Sequence, residues 1–542
     1  MGTPHERRCV ANDRVSPFST NHLPDKSLAD ILLSTLNARY IHASFGLRYL
    51  KANMGELASR TDILEFVIEE RPLDVVERLL AERPRIIGLG VYIWNVDAIA
   101  AVVKLLKLIA PETFVVLGGP EVSYSGHEDW IEPFVDVVVA GEADVVFPKV
   151  CEDLLAGKPI ERAHIQAAPP NFEELQLPYE YYTDADIANR IVYVEASRGC
   201  PFKCEFCLSS LDVAVRKPPI ERFLAAMDSL LARGVRQFKF VDRTFNLNLR
   251  FSRAILSFFL ERYEEGMFLH FEMIPDRLPE GLKELIVQFP PGTLQFEVGV
   301  QTLDPEVSDR INRRQVVSKL QSNLRFLRSE TGVHVHADLI CGLPGETLES
   351  FGSGFDALHA MGPQEIQVGI LKKLKGTTLG RHDENFGMRY SPGPPYEILE
   401  TSAISFEAMQ TMRRFARYWD LFANSGNFRD SLPFVWGDKS PFQGFMDFCS
   451  FLTERLGRTH KISLARQTQM LFAYLCERQG MVAEEAALAI LSDYRRIGRR
   501  EIPPFLRDAL PPERLRAYKE GSSTEASRAK RNIPARQARH LG

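Results

Sequence analysis

From residue 29 onward, short apolar and β-branched runs alternate with stretches whose apolar positions recur at helical spacing. "ADILLSTLN", "TDILEFVI", "RIIGLGVYIW", "TFVVLGGPEVS" and "VDVVVAGEAD" read as buried strands, and "FGLRYLKANMGELA", "PLDVVERLLAERP", "VDAIAAVVKLLKLIAP" and "VVFPKVCEDLLAG" as amphipathic helices. Repeated strand-then-helix units predict an open parallel sheet covered on both faces, a doubly wound, Rossmann-like α/β domain over residues 28–160. Residues 161–189 read as a linker. A second series follows, with strands "RIVYVEAS", "QFKFVDRTFN", "FLHFEMIPD", "TLQFEVGVQ", "VHVHADLICGLP" and "EIQVGILKKL" separated by helical stretches. Its six steps predict a partial (β/α)6 barrel over residues 190–390.

The turn-forming stretch "GRHDENFGMRYSPGPPYEIL" closes that series. Beyond it, over residues 391–519, the apolar spacing is helical and predicts an α-helical C-terminal domain. Residues 1–27 and the basic end 520–542 are expected to be disordered.

Composition changes this picture little. Hydrophobic residues at 45% and charged residues at 25% match an average globular protein, and a net charge of -5 gives no reason to expect nucleic acid or an anionic membrane as partner. No run of about 18 apolar residues predicts a membrane span, and the first residues lack the apolar stretch of a signal peptide. A cytoplasmic chain is expected. Of eight cysteines, five are scattered, which argues against a disulfide framework.

The other three are clustered. Cys200, Cys204 and Cys207 in "GCPFKCEFC" follow the first barrel strand, at the carboxyl end where barrel chemistry lies. Structural zinc takes four ligands; Cys204 and Cys207 lack a second close pair, and Cys341 stands alone in a strand. Three thiolates on a four-iron cluster would leave one iron open. Glu272, Glu297, Gln301 and Asp338 point into the same mouth by strand position, with buried structural polar groups as the alternative. In the first domain the strand-end loops "NARYIHAS", "YIWN", "GGPEVS" and "GEAD" make Asn37, Arg39, Trp94, Gly118, Gly119, Glu121, Gly141 and Glu142 candidate ligand contacts. No GxGxxG follows the first strand, which argues against a nicotinamide cofactor.

The CxxxCxxC spacing, together with "EVGVQTLDPEVSDRINR", resembles the radical S-adenosylmethionine (SAM) enzymes. "LSTLNARYIHASFGLRYL", "LGGPEVS" and "VVAGEAD" resemble the cobalamin-binding domain that precedes many of them. The C-terminal part resembles an uncharacterised helical domain attached to some of these proteins. The resemblance implies a 4Fe-4S cluster on Cys200, Cys204 and Cys207, with SAM on the open iron. It also implies Phe206 and Gly342 near adenine, and Asp242 and Thr244 near the SAM amino group.

The family's DxHxxG motif is broken here, with Tyr40 where its Asp would stand if His42 were aligned, so no protein side chain is expected on cobalt. The implied activity is cobalamin-dependent radical methylation of an unactivated centre in a small molecule, served by an electron donor such as flavodoxin or ferredoxin. Radical cyclisation or rearrangement, and a non-catalytic cobalamin or iron-sulfur sensor, are the alternatives. Two cofactors acting on one substrate require the two sets of strand-end loops to face each other.

Overall fold

A computed structural model describes residues 29–124, 131, 133–160, 163–499, 501–520 and 534–540. The expected disordered stretch 1–27 lies outside the described residues. The first sheet is six-stranded and parallel, built from β1 (Ile31–Asn37), β2 (Thr61–Val67), β3 (Ile86–Gly90), β4 (Phe114–Gly118), β5 (Val137–Ala140) and β6 (His164–Gln166). Its order is β2-β1-β3-β4-β5-β6, so the direction of winding reverses between β1 and β3.

The side-chain alternation of a strand supplies both faces. Leu32, Leu36, Ile87, Leu89, Val115 and Leu117 pack on one side with Val75, Ile99 and Val103. Ile31, Leu33, Ile86, Val116 and Val139 pack on the other with Leu47, Phe147 and Val150. These fully buried strands therefore read as continuous apolar runs. The sixth strand comes from the stretch expected as a linker: His164, Ile165 and Gln166 pair with Val138, Val139 and Ala140.

The second sheet is also parallel, in the simple order β12-β11-β10-β9-β8-β7. Its strands are β7 (Val192–Val194), β8 (Gln237–Phe240), β9 (Phe268–Met273), β10 (Leu294–Gln301), β11 (His334–Cys341) and β12 (Glu365–Ile370). Consecutive strands as neighbours are what right-handed βα crossovers produce in a barrel wall. The wall stays open, with β7 and β12 at its two edges.

The C-terminal helices share one hydrophobic core with the barrel. Phe355 of the barrel layer packs against Phe415 (5.3 Å between ring centroids) and Trp419 (4.8 Å), both on the helix Phe406–Trp419. Among the described residues no helix is long and apolar enough to cross a membrane.

Expected disorder at the C-terminal end does not hold for residues 534–540. A helix, Ala535–His540, docks under the barrel. Arg536 pairs with Glu365 (2.7 Å) and Asp420 (2.7 Å), and His540 Nε2 lies 3.0 Å from the Asn424 carbonyl. A basic stretch poor in large apolar residues signals disorder when read alone; here carboxylates from distant parts of the chain fix it.

Candidate active site between two strand-end rims

The carboxyl ends of the two sheets face each other across a network of ions. Glu142, just after β5, accepts hydrogen bonds from Arg198 Nη1 (2.9 Å) and Arg216 Nη1 (3.1 Å), and Arg198 Nη1 also reaches Asp144 Oδ2 (2.9 Å). Both arginines lie in the loop that carries the cysteines. Glu121, after β4, pairs with Lys375 Nζ (3.1 Å) and accepts from the Tyr396 hydroxyl. His42 Nδ1 sits 2.7 Å from the Tyr193 hydroxyl on β7. Burial opposes the Arg198 charge, but Glu195 and Asp144 outweigh it and hold its pKa above the ordinary guanidinium value.

The cysteine loop has a fixed shape. Its base is closed by reciprocal backbone bonds between Arg198 and Arg216 (3.0 and 2.9 Å), and Cys200 N donates to Asp212 O (2.8 Å). Gly199 makes the turn at φ +91°; a Cβ there would stand 2.2 Å from the Ala214 carbonyl. Glu205, between the second and third cysteines, is gripped by His382 Nε2 (2.8 Å) and by Arg381. Cys200 and Cys204 are buried and Cys207 is half-buried.

All three thiols line one cavity of about 220 Å³, together with Phe206, Thr244, Glu272, Glu297, Gln301 and Asp338. These expected residues are therefore brought together. Burial drives the Asp338 carboxyl well above its ordinary pKa, with Glu297 and Glu272 adding to the shift. Burial also opposes ionisation of Glu297, but the hydrogen bond and charge of His270 (Nε2 at 2.9 Å) outweigh it and hold Glu297 at about 2. The two carboxyls of the cavity are thus shifted in opposite directions, Asp338 up and Glu297 down. Asp338 Oδ1 is buried without a hydrogen-bond partner, the kind of atom that a bound polar ligand satisfies.

Among the described residues, no three Cys, His, Asp or Glu side chains are gathered to hold a single metal ion. Three thiols around a cavity suit a polynuclear cluster instead, because each binds a different iron. Arg313 lies 3.7 Å from Cys204 Sγ and also donates to the Gly299 carbonyl. Gly299 leaves room for the Gln301 side chain instead: a Cβ there would meet Gln301 Nε2 at 2.6 Å. Gln301 itself has φ +70°, a strained conformation for a side-chain-bearing residue and one concentrated at functional sites.

A second, narrower cavity of about 160 Å³ lies at the ends of β3, β4 and β5 in the first sheet, walled by Gly90, Gly118, Gly119 and Gly141. Gly119 (φ +107°) passes so close to β3 that a Cβ would stand 2.5 Å from the Val91 carbonyl. An apolar space near 150 Å³ holds an aromatic ring, so the slot fits the planar base of a cobalamin nucleotide tail. Arg198 lines this slot as well.

Other expected contacts are placed elsewhere. Asp242 is buried outside both cavities, accepting from Ala196 N (2.9 Å) and Ser197 Oγ (2.6 Å). Gly342 packs against the C-terminal part, where a Cβ would meet Ile398 at 2.7 Å. Asn37 donates to Glu65 (2.9 Å), Arg39 is exposed, and Trp94 stacks on Tyr92 at 4.6 Å with nearly half its surface in solvent. Glu121 and Glu142 hold the interface rather than the slot. Arg198, Arg216, Glu205 and Arg313 escaped the sequence reading because single charged residues near a motif carry no spacing signal.

Comparison with known proteins matches these parts one by one. The family described as "B12 binding domain" matches residues 32–151 and the "Radical SAM superfamily" matches residues 194–356. The chain joins a B12-binding domain to a radical SAM domain. The C-terminal part of this radical SAM enzyme, residues 384–540, matches a family described only as a protein of unknown function, DUF4080.

An uncharacterized methyltransferase of Pyrococcus horikoshii, PH0819, is 26% identical over 367 residues, covering 62% of this chain and 77% of that protein. The cobalamin-dependent radical SAM methyltransferase TokK of Streptomyces tokunonensis is 25% identical over 427 residues, covering 70% of this chain and 60% of TokK. In structure, the cobalamin-dependent SAM radical enzyme OxsB, solved with aqua-cobalamin and SAM bound, aligns with a TM-score of 0.61 at 13% identity. That alignment covers 91% of this chain and 83% of OxsB, and it shows a common fold.

Proposed function

We propose that this protein is a cobalamin-dependent radical SAM methyltransferase acting on an unactivated centre of a small molecule. One observation carries the reading: Arg198 lines the glycine slot of the first domain and stands two residues before Cys200 in the loop of the cysteine cavity. One short stretch of chain thus ties the two ligand sites together. When bound, the 4Fe-4S cluster and SAM supply a one-electron cleavage to a carbon-centred radical, and cobalamin supplies a methyl carrier.

Cys200, Cys204 and Cys207 would hold the cluster, with the Arg313 guanidinium beside Cys204. Glu297 and Asp338 offer carboxyl oxygens to the polar groups of SAM, and Phe206 offers a face for adenine. Thr244, Glu272 and Gln301 complete that wall. Gly118, Gly119 and Gly141 would admit the flat base of cobalamin. His42, engaged by Tyr193, is left off cobalt. The ion pairs from Glu142, Asp144 and Glu121 hold the rims together and limit water, which a primary carbon radical needs if it is to meet only its substrate. A small electron donor such as flavodoxin or ferredoxin would supply the reducing electron.

The test is anaerobic incubation of the reconstituted protein with methyl-labelled SAM, a reductant and a small-molecule extract. Release of both 5'-deoxyadenosine and S-adenosylhomocysteine, with label in a product, is the expected result. Deoxyadenosine alone would point to cyclisation or rearrangement, and neither product would point to a sensor; each overturns the methyltransferase reading.

A further inference from the structure

Another opening, larger than either of the cavities above, remains. It holds about 820 Å³ and lies along β12, an edge strand of the barrel. An exposed edge strand would normally invite pairing with another chain. Here the Asn424 side chain takes the place of a neighbouring strand, accepting from Ile366 N (3.0 Å) and donating to Ile366 O (2.9 Å). The helix Phe406–Trp419 runs beside the edge. Met409, Met412, Phe415 and Trp419 are buried in the shared core. Arg413, Arg414 and Arg417 from the same helix line the opening opposite Gln367 and Gly369 of β12. The helix ends in a π-helical turn, Asp420–Asn424, a feature concentrated at functional sites.

Two further observations say what this opening takes. Phe206, the residue before Cys207, lines both it and the cysteine cavity, so the two are separated by one ring. Ile340, which lines the opening, is two residues along β11 from Asp338, which lines the cysteine cavity, and so lies on the same face of the strand. The charges do not balance. Arg413 is paired with Glu397 (3.0 Å) and Arg417 with Asp420 (3.0 Å). Arg414 bonds the neutral Thr411 hydroxyl (3.0 Å), and Lys372 makes no ion pair or hydrogen bond through its ammonium among the described residues. Two cations therefore face the space without counter-charge. A guanidinium fork with a nearby ammonium matches carboxylate or phosphate oxygens.

We infer that this opening is the substrate site, and that the substrate is a small molecule bearing a carboxylate or phosphate. Arg414 and Lys372 bind the anionic group, and the remainder extends past Phe206 toward the cysteine cavity. The volume lies within the range of sites for drug-sized ligands, larger than a single amino acid requires. This inference rests on the reading of the cysteine cavity as the place where the radical forms.

The experiment uses the reconstituted full chain and two probes, inorganic pyrophosphate and succinate, each titrated by calorimetry at fixed ionic strength. The same titrations are run on the double variant Arg414→Gln, Lys372→Met and on a charge-matched control in the first domain, Arg60→Gln, Lys158→Met. At least one probe is expected to bind, at least tenfold more weakly in the cavity variant and unchanged in the control. Preference for pyrophosphate assigns a phosphate ligand, and preference for succinate a carboxylate. Equal binding in all three proteins, or no binding of either probe at millimolar concentration, overturns the inference. SAM cleavage by the wild type is measured alongside. Cleavage without anion binding removes the anionic substrate and leaves the radical chemistry standing, whereas anion binding without cleavage removes the radical reading.

Discussion

Arg313 is the residue whose charge bears most directly on the cysteines, because it reaches both Cys204 Sγ and the backbone of β10 at Gly299. Removing a fixed positive charge beside a thiolate makes an added electron less favourable. Arg313→Gln is therefore expected to lower the reduction potential of the reconstituted cluster by tens of millivolts, read by a redox titration followed by electron paramagnetic resonance. An unchanged potential would mean that the guanidinium only braces the strand. Replacing Cys200, Cys204 and Cys207 together with Ala should abolish cluster absorption and SAM cleavage. The fold should remain, because the loop is also held through Glu205, Arg198 and Arg216. His42 gives a third test at this scale. Its bond to Tyr193 predicts a cob(II)alamin spectrum without nitrogen splitting from His42; a splitting that disappears in His42→Ala would put His42 on cobalt.

Among elements, the turn after β4 shows how backbone conformation makes a ligand slot. Gly119 has a left-handed φ and runs within contact of β3, so any side chain there strains its own residue and pushes on the Val91 carbonyl. Gly119→Ala is expected to cost about 1–3 kcal/mol of stability and to weaken cobalamin retention, measured by denaturant unfolding and by bound corrinoid after gel filtration. Retained cobalamin in a destabilised variant would move the ligand elsewhere. The cysteine loop follows the same logic at Gly199. In both places glycine serves a close backbone approach that no side chain permits.

For the molecule as a whole, the parts are joined by buried ions. Glu365 at the start of β12 is a junction, bonded to His334 Nε2 (2.9 Å) within the barrel and to Arg536 Nη2 (2.7 Å) of the C-terminal helix. Burial opposes its ionisation, but His334 and Arg536 outweigh that and hold its pKa at about 2, below the ordinary 4.5. A depressed carboxylate stabilises the fold above its unfolded pKa and stops doing so as pH falls through its folded one. Stability should therefore drop by up to about 3 kcal/mol on acidification from near pH 5 toward 2. Glu365→Gln should flatten that limb of an unfolding-versus-pH curve. An unchanged acid limb would show that Glu365 is not the junction.

The chain order of strands and helices, the division into an open sheet and a partial barrel, and the three cysteines after the first barrel strand were all legible in the sequence. Each rests on local periodicity or on close spacing, and both survive without knowledge of distant neighbours. The strand face on which Glu272, Glu297 and Asp338 stand was legible too, since strand periodicity fixes it. Asp242, Asn37 and Glu142 were not, because a polar residue at a strand end can point to a ligand, a backbone or another domain with equal local propriety. Only the folded chain decides which acceptor lies within 3 Å. Tertiary structure likewise decided the ordered helix at Ala535–His540, the sixth strand of the first sheet, and the arginine-lined opening beside β12. Each is a meeting of segments far apart in sequence, where charge and burial act through space and leave no periodic trace along the chain.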